Sequence, residues 1–190
     1  MKVKSLILLA SILLSTSAMM AQELNGREFV LKNNKYKFPD ENKGRVLDGD
    51  SKNLGKNGTT LYVIQNNNIH GEAVKHQKWQ FVFANKGADV YYIKKTDSRA
   101  GNVVYLDASY IDLGKSPAVV QLWSDNRNAK GQGEPNQLWK VTKNADSSSY
   151  RIASAHPRAK GVCLDGSNTG VMLILPNNED AQAWTLIEKQ

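Results

Sequence analysis

The chain has 190 residues, 41% of them apolar and 23% charged. These are the proportions of a folded, water-soluble protein of one domain, and they exclude a wholly disordered chain. Lys and Arg number 25 against 18 Asp and Glu, a net charge of +7 that permits an acidic partner without demanding one. The single Cys, Cys163, excludes an intrachain disulfide framework and a Cys-based zinc cluster.

Residues 1–21 read as a signal peptide. Lys2 and Lys4 give a positive start, Leu6 to Leu14 are apolar apart from Ser11, and small residues follow, the three-part pattern of an export leader. Cleavage is expected near Ala18 or Ala21, and with it a secreted or periplasmic protein. No second run of about 18 apolar residues follows, so no membrane span is expected.

Residues 22–190 read as one domain of three repeats, about 27–88, 89–147 and 148–190. Each repeat opens on a short β-prone run: Phe29-Val30-Leu31, Val90-Tyr91-Tyr92-Ile93 and Tyr150-Arg151-Ile152. β-branched and aromatic residues favour extended backbone, and turn formers such as Asn33-Asn34, Gly101 and His156-Pro157 close each run. Next comes an apolar residue, then Leu-Asp, then a turn residue: Val46-Leu47-Asp48-Gly49, Tyr105-Leu106-Asp107-Ala108 and Cys163-Leu164-Asp165-Gly166. A third run follows at Thr60–Ile64, Val119–Trp123 and Val171–Leu175. Each repeat then carries Gln-x-Trp, as Gln77-Lys78-Trp79, Gln137-Leu138-Trp139 and Gln182-Ala183-Trp184, and continues β-prone. The interval between the Asp residues stays nearly constant, while the stretch from Asp to Trp is shorter in the third repeat. About four strands per repeat and twelve in all are expected, with no long helix. One repeat cannot bury its own apolar face, whereas three around a pseudo-threefold axis can. The repeated Trp residues are expected inside, each Gln as a buried hydrogen-bond partner of a turn.

Three Gln-x-Trp motifs in register, each downstream of its own Leu-Asp, resemble the ricin-type β-trefoil lectin family over about residues 27–188. The resemblance implies an all-β trefoil: twelve strands, six closing a barrel and six forming hairpins that cap one end. It also implies a lectin-like protein that binds galactose-type sugars in shallow pockets, up to one per repeat. Two departures stand out. The first two repeats are longer than is usual, and the Cys pairs of many relatives are reduced to Cys163, expected as a small core residue.

A sugar offers a patch of C–H bonds that an aromatic ring can cover, and hydroxyls that need fixed donors and acceptors. A carboxylate can take two hydroxyls through charge-assisted bonds. The second repeat holds the full set: Asp107 of Leu-Asp, Trp123 in Gln121-Leu122-Trp123, and Asn136 before Gln137. These match, position by position, the Asp, aromatic, Asn and supporting Gln of the family's pocket. Trp123 is the informative one, since it alone of the four Trp residues lies outside the repeated motif. Packing beneath the Ala129–Pro135 loop is the structural alternative for it. Counting back 16 residues from Trp79, as from Trp139 to Trp123, puts Val63 in the aromatic slot of the first repeat, and the matching strand end of the third repeat is near Leu175. The first repeat keeps Asp48 and Gln77 but has His76 in the Asn slot; the third keeps Asp165 and Gln182 but has Ala181 there. For each of the three Asp residues the alternative is a turn-capping role.

Catalytic and metal chemistry find no pattern. The histidines, His70, His76 and His156, are not spaced as ligands and read as surface or turn residues, and neither a Gly-x-Ser-x-Gly elbow nor a Gly-rich phosphate loop occurs. No enzyme activity and no cofactor are expected. The partner expected is a carbohydrate, not nucleic acid, with affinity raised by multivalency through a homo-oligomer. Two rival readings remain at this stage: a trefoil serving as a protein-interaction module or protease inhibitor, and charge-driven binding of a sulfated polysaccharide by runs such as Lys94-Lys95 and Arg158–Lys160.

Overall fold

The computed structural model describes residues 23–36, 44–50, 53, 55–65, 75–84, 89–95, 103–126, 135–145, 148–159, 161–167 and 170–188. The expected leader at 1–21, the loop at 129–134 and His70 lie outside them.

The first repeat forms β1 (Glu28–Asn33), β2 (Arg45–Asp48), β3 (Thr59–Thr60), β4 (Tyr62–Gln65) and β5 (Trp79–Phe83). The second forms β6 (Val90–Lys95), β7 (Val104–Ala108), β8 (Ala118–Ser124) and β9 (Trp139–Lys143). The third forms β10 (Tyr150–Ser154), β11 (Cys163–Asp165), β12 (Met172–Ile174) and β13 (Trp184–Glu188). Twelve are the expected strands, four per repeat. The two-residue β3 is an addition that pairs with β8 of the next repeat.

Six strands close a ring in which β1 pairs with β5, β5 with β6, β6 with β9, β9 with β10, β10 with β13 and β13 with β1. Closure leaves no unpaired edge in the ring, which removes a template for aggregation. The other six strands form three hairpins, β2–β4, β7–β8 and β11–β12. Each hairpin is bridged to the ring within its own repeat. The fold is a β-trefoil, as the repeated motifs imply.

The linkage between the two motifs is physical. The indole N–H of Trp79 donates to the carbonyl of Leu47 (3.1 Å), that of Trp139 to Leu106 (2.9 Å) and that of Trp184 to Leu164 (3.0 Å). All three indoles are fully buried in one core cluster with the Leu side chains. A buried indole needs an acceptor for its N–H, and the Leu of Leu-Asp supplies it in every repeat. The Gln residues act on the third strand. Gln77 Nε2 donates to the Gln65 carbonyl, Gln137 Nε2 to Ser124 and Gln182 Nε2 to Leu175, at 2.9–3.1 Å. Cys163 is buried within this frame, and burial pushes its thiol pKa up, as suits a core residue.

Candidate functional site

The site is built on the β7–β8 hairpin. In its antiparallel register Tyr105 faces Trp123, Leu106 faces Leu122 and Asp107 faces Gln121. Side chains alternate between the faces of a strand, and directly opposed residues share a face. Leu106 and Leu122 therefore point into the core, where both are fully buried. Tyr105, Asp107, Gln121 and Trp123 take the outer face. Asn136 reaches them from a short 3-10 turn, Pro135–Gln137, laid over the hairpin.

These residues converge. Asn136 Nδ2 donates to Asp107 Oδ2 at 2.7 Å, and Gln121 Nε2 approaches Asp107 Oδ1 at 3.4 Å. Gln137 stands behind the site and positions it: its Nε2 bonds the Ser124 carbonyl, and its Oε1 accepts the Asn126 backbone N–H. An open cleft of about 540 Å³ lies over this face, lined by Asp107, Gln121, Trp123 and Asn136 together with Ser109, Tyr110, Ile111 and Asn126. Trp123 is partly exposed, and its indole N–H has no hydrogen-bond partner among the described residues. Asp107 forms the floor, 1% exposed. Burial pushes its carboxyl up to about 6, against hydrogen bonds from Gln121, Asn136, Gln137 and Asn126 that favour the ionised form.

The matching Asp residues of the other repeats are committed differently. Asp48 Oδ1 accepts the backbone N–H of Asp50 at 2.9 Å, and Asp165 Oδ1 accepts that of Ser167 at 2.8 Å. Both carboxylates cap their own turn two residues on. In the second repeat the equivalent N–H, that of Ser109, is given instead to the Val119 carbonyl at 3.0 Å. Asp107 is thereby released from the turn. The cause is local: Ala108 follows Asp107 and lets β7 run on, whereas Gly49 and Gly166 follow the other two. A Cβ at Gly166 would stand 2.5 Å from the buried Asn33 Nδ2, so an alanine there would displace that amide.

Asp48 is also occupied on its second oxygen, by Gln77 Nε2 at 3.0 Å and His76 Nε2 at 3.3 Å. His76 is a turn residue, in the 3-10 turn Lys75–Gln77, and is buried rather than on the surface, because it packs over Asp48 as Asn136 packs over Asp107. His156 does take a turn role, its Nδ1 accepting the Arg158 backbone N–H at 2.9 Å. Among the described residues no cluster of metal-ligating side chains occurs.

The aromatic slot needs a correction. Register places Tyr62 opposite Asp48 and Met172 opposite Asp165, so both correspond to Gln121. Two residues on, the counterparts of Trp123 are Ile64 and Ile174, not Val63 and Leu175. Val63 is buried like Leu122, its true counterpart. In the first repeat the count from the Trp failed by one because the loops before Gln-x-Trp differ in length, and in the third the strand-end placement fell one residue late. Ser109, Tyr110, Ile111 and Asn126 were not singled out by sequence; the replacement of Gly by Ala108 after Leu-Asp was the one visible sign that this turn departs from the other two.

Residues 75–171, from the first Gln-x-Trp through the whole second repeat, match the family model described as ricin-type β-trefoil lectin domain-like. No curated protein matches the chain. Among solved structures it is similar to the designed threefold-symmetric protein ThreeFoil, at 20% identity with a TM-score of 0.61, over 84% of this chain and 97% of that one. It is also similar to the Rhizoctonia solani agglutinin, at 19% identity and a TM-score of 0.59, over 87% and 96%. A third likeness is to an exo-β-1,3-galactanase from Clostridium thermocellum, at 21% identity and a TM-score of 0.61; it covers 85% of this chain but 30% of that one.

Proposed function

Because the chain belongs to the ricin-type β-trefoil lectin-like family, we propose that it binds carbohydrate without transforming it, through the cleft of the second repeat. The observation that carries this reading is the release of the Asp107 carboxylate from its turn, beside an indole face and two amides. Trp123 covers the apolar C–H face of a pyranose. Asp107, when ionised, accepts hydrogen bonds from the sugar hydroxyls, and Asn136 and Gln121 hold it in place and add donors and acceptors of their own. A galactose-type sugar is the leading ligand. A few such bonds and one ring correspond to roughly millimolar to micromolar affinity for a single sugar, so useful binding rests on multivalency, through a homo-oligomer or a clustered glycan.

The test is a broad glycan array probed with the protein lacking residues 1–21. Retention of galactose-type glycans by the wild type and none by Trp123→Ala supports the reading. A silent array, with a protein retained from extract instead, selects the interaction-module alternative. Export is part of the same proposal, resting on the Lys2–Ala21 pattern; mass spectrometry of protein from the periplasm or medium should find a chain starting at residue 19 or 22, and an intact Met1 there overturns it.

A further inference from the structure

We propose that the cleft extends beyond the Asp107 pocket to a second subsite, formed by Tyr110 and Arg158, that takes the neighbouring unit of an oligosaccharide and favours one bearing an anionic group, a carboxylate or a sulfate. This rests on the saccharide reading of the cleft and deepens it.

The geometry is that of a groove running along the hairpin. Trp123 lies two residues from Gln121 on one side, about 7 Å along the strand at roughly 3.3 Å per residue. Tyr110 lies in the turn on the opposite side of Asp107, and both rings line the same cleft. The two aromatics therefore flank the carboxylate and serve successive sugar rings rather than one. The volume of about 540 Å³ is also more than one hexose fills, being room for about eighteen waters at about 30 Å³ each. Tyr110 is 64% exposed and Ile111 81%, and large apolar side chains kept this open beside a polar floor form a contact surface.

The charges differ at the two ends. At the Trp123 end, the Tyr105 hydroxyl lies 3.4 Å from Asp125 Oδ2. At the Tyr110 end, the guanidinium of Arg158 lies over the Tyr110 ring, 5.3 Å from its centroid. It has come from another repeat to do so, the 3-10 turn Pro157–Ala159, whose Arg158 carbonyl packs against Gly114 of the same hairpin turn. Arg158 is exposed and has no carboxylate partner among the described residues, while Lys115 nearby is engaged by Asp112 at 3.1 Å. A stacked, unpaired guanidinium keeps its in-plane N–H groups for an incoming oxyanion, and a planar fork suits a carboxylate or a sulfate. An anionic group is thus favoured at the Tyr110 end.

The experiment has two parts. Calorimetric titration with galactose and with lactose compares one unit with two; a printed array of matched oligosaccharide pairs, differing by one uronic carboxylate or one sulfate, compares neutral with anionic. The expected results are a gain of about threefold to tenfold from galactose to lactose that disappears in Tyr110→Ala, and an anionic-to-neutral ratio above one that falls to about one in Arg158→Gln and at high salt. The carboxylate and sulfate arms then tell which anion is preferred. Galactose binding without any gain for lactose overturns the second subsite alone, as does a ratio unmoved by Arg158→Gln. Failure of every saccharide to bind overturns the reading of the cleft, and the subsite with it.

Discussion

The second repeat and its two companions share a scaffold and diverge at one backbone hydrogen bond. In all three, Leu-Asp and Gln-x-Trp are tied by an indole N–H to a Leu carbonyl. In the first and third, the Asp then caps its own turn; in the second, the strand continues through Ala108, the Ser109 N–H goes to Val119, and the carboxylate is left for the cleft. The same residue caps its turn twice and faces the cleft once. A motif residue shared by all repeats is therefore not evidence of a site in all repeats, and what its side chain bonds decides the matter.

The sharpest break in that comparison is between two tryptophans of the same repeat. Trp139→Ala should cost about 3–5 kcal/mol, since it empties the core and orphans the Leu106 carbonyl. Trp123→Ala should cost less than about 1 kcal/mol, the loss expected of a partly exposed side chain, yet abolish saccharide binding. Thermal melting separates them, and equal losses would make Trp123 a core residue. Next in size are the carboxylates. Asp48→Ala and Asp165→Ala should each lower stability by about 1–2 kcal/mol through the lost turn bond while leaving binding intact; Asp107→Ala should remove binding.

Titration sharpens the same contrast. Burial raises the Asp107 carboxyl to about 6, above its unfolded value, so folding favours its protonated form. The stabilisation this gives is complete below about pH 4 and is lost as pH rises through about 6. Binding runs the other way, because the ionised carboxylate is the hydroxyl acceptor, and affinity should fall by half near pH 6 as the solution is acidified. Both trends should flatten in Asp107→Asn, followed by melting and by titration between pH 4 and 8. The smallest effect is expected from Ile174→Trp, which supplies the third repeat with a ring. It should gain no measurable binding on a glycan array, because Asp165 remains held by Ser167; a second functional site would show that the ring alone had been missing.

The fold was legible in the sequence because its repeated residues bond one another. Trp79, Trp139 and Trp184 require an acceptor, the Leu residues provide it, and both must recur together. The cluster of Asp107, Gln121, Trp123 and Asn136 was legible for a related reason: Trp123 departs from a repeat whose other members are aliphatic. The turn at Ser109–Ile111 was not, since a wall of the cleft requires shape rather than a residue type. Nor was the slot of Ile64 and Ile174, since a loop of unequal length broke the count in the first repeat and strand pairing alone fixes the position in both. The short β3, with Asn57 Oδ1 accepting the Ser124 backbone N–H at 2.7 Å, was hidden as well: it braces the strand of Trp123 from another repeat, a long-range contact without a local signal.

The most direct test of a single working repeat follows the four indole N–H groups by nitrogen-15 NMR during saccharide titration. Three of them donate to buried carbonyls and should resist hydrogen exchange and hold their shifts, while that of Trp123 should exchange fast and move to saturation with one equivalent bound. A Trp123 signal that stays fixed while sugar binds would contradict the account.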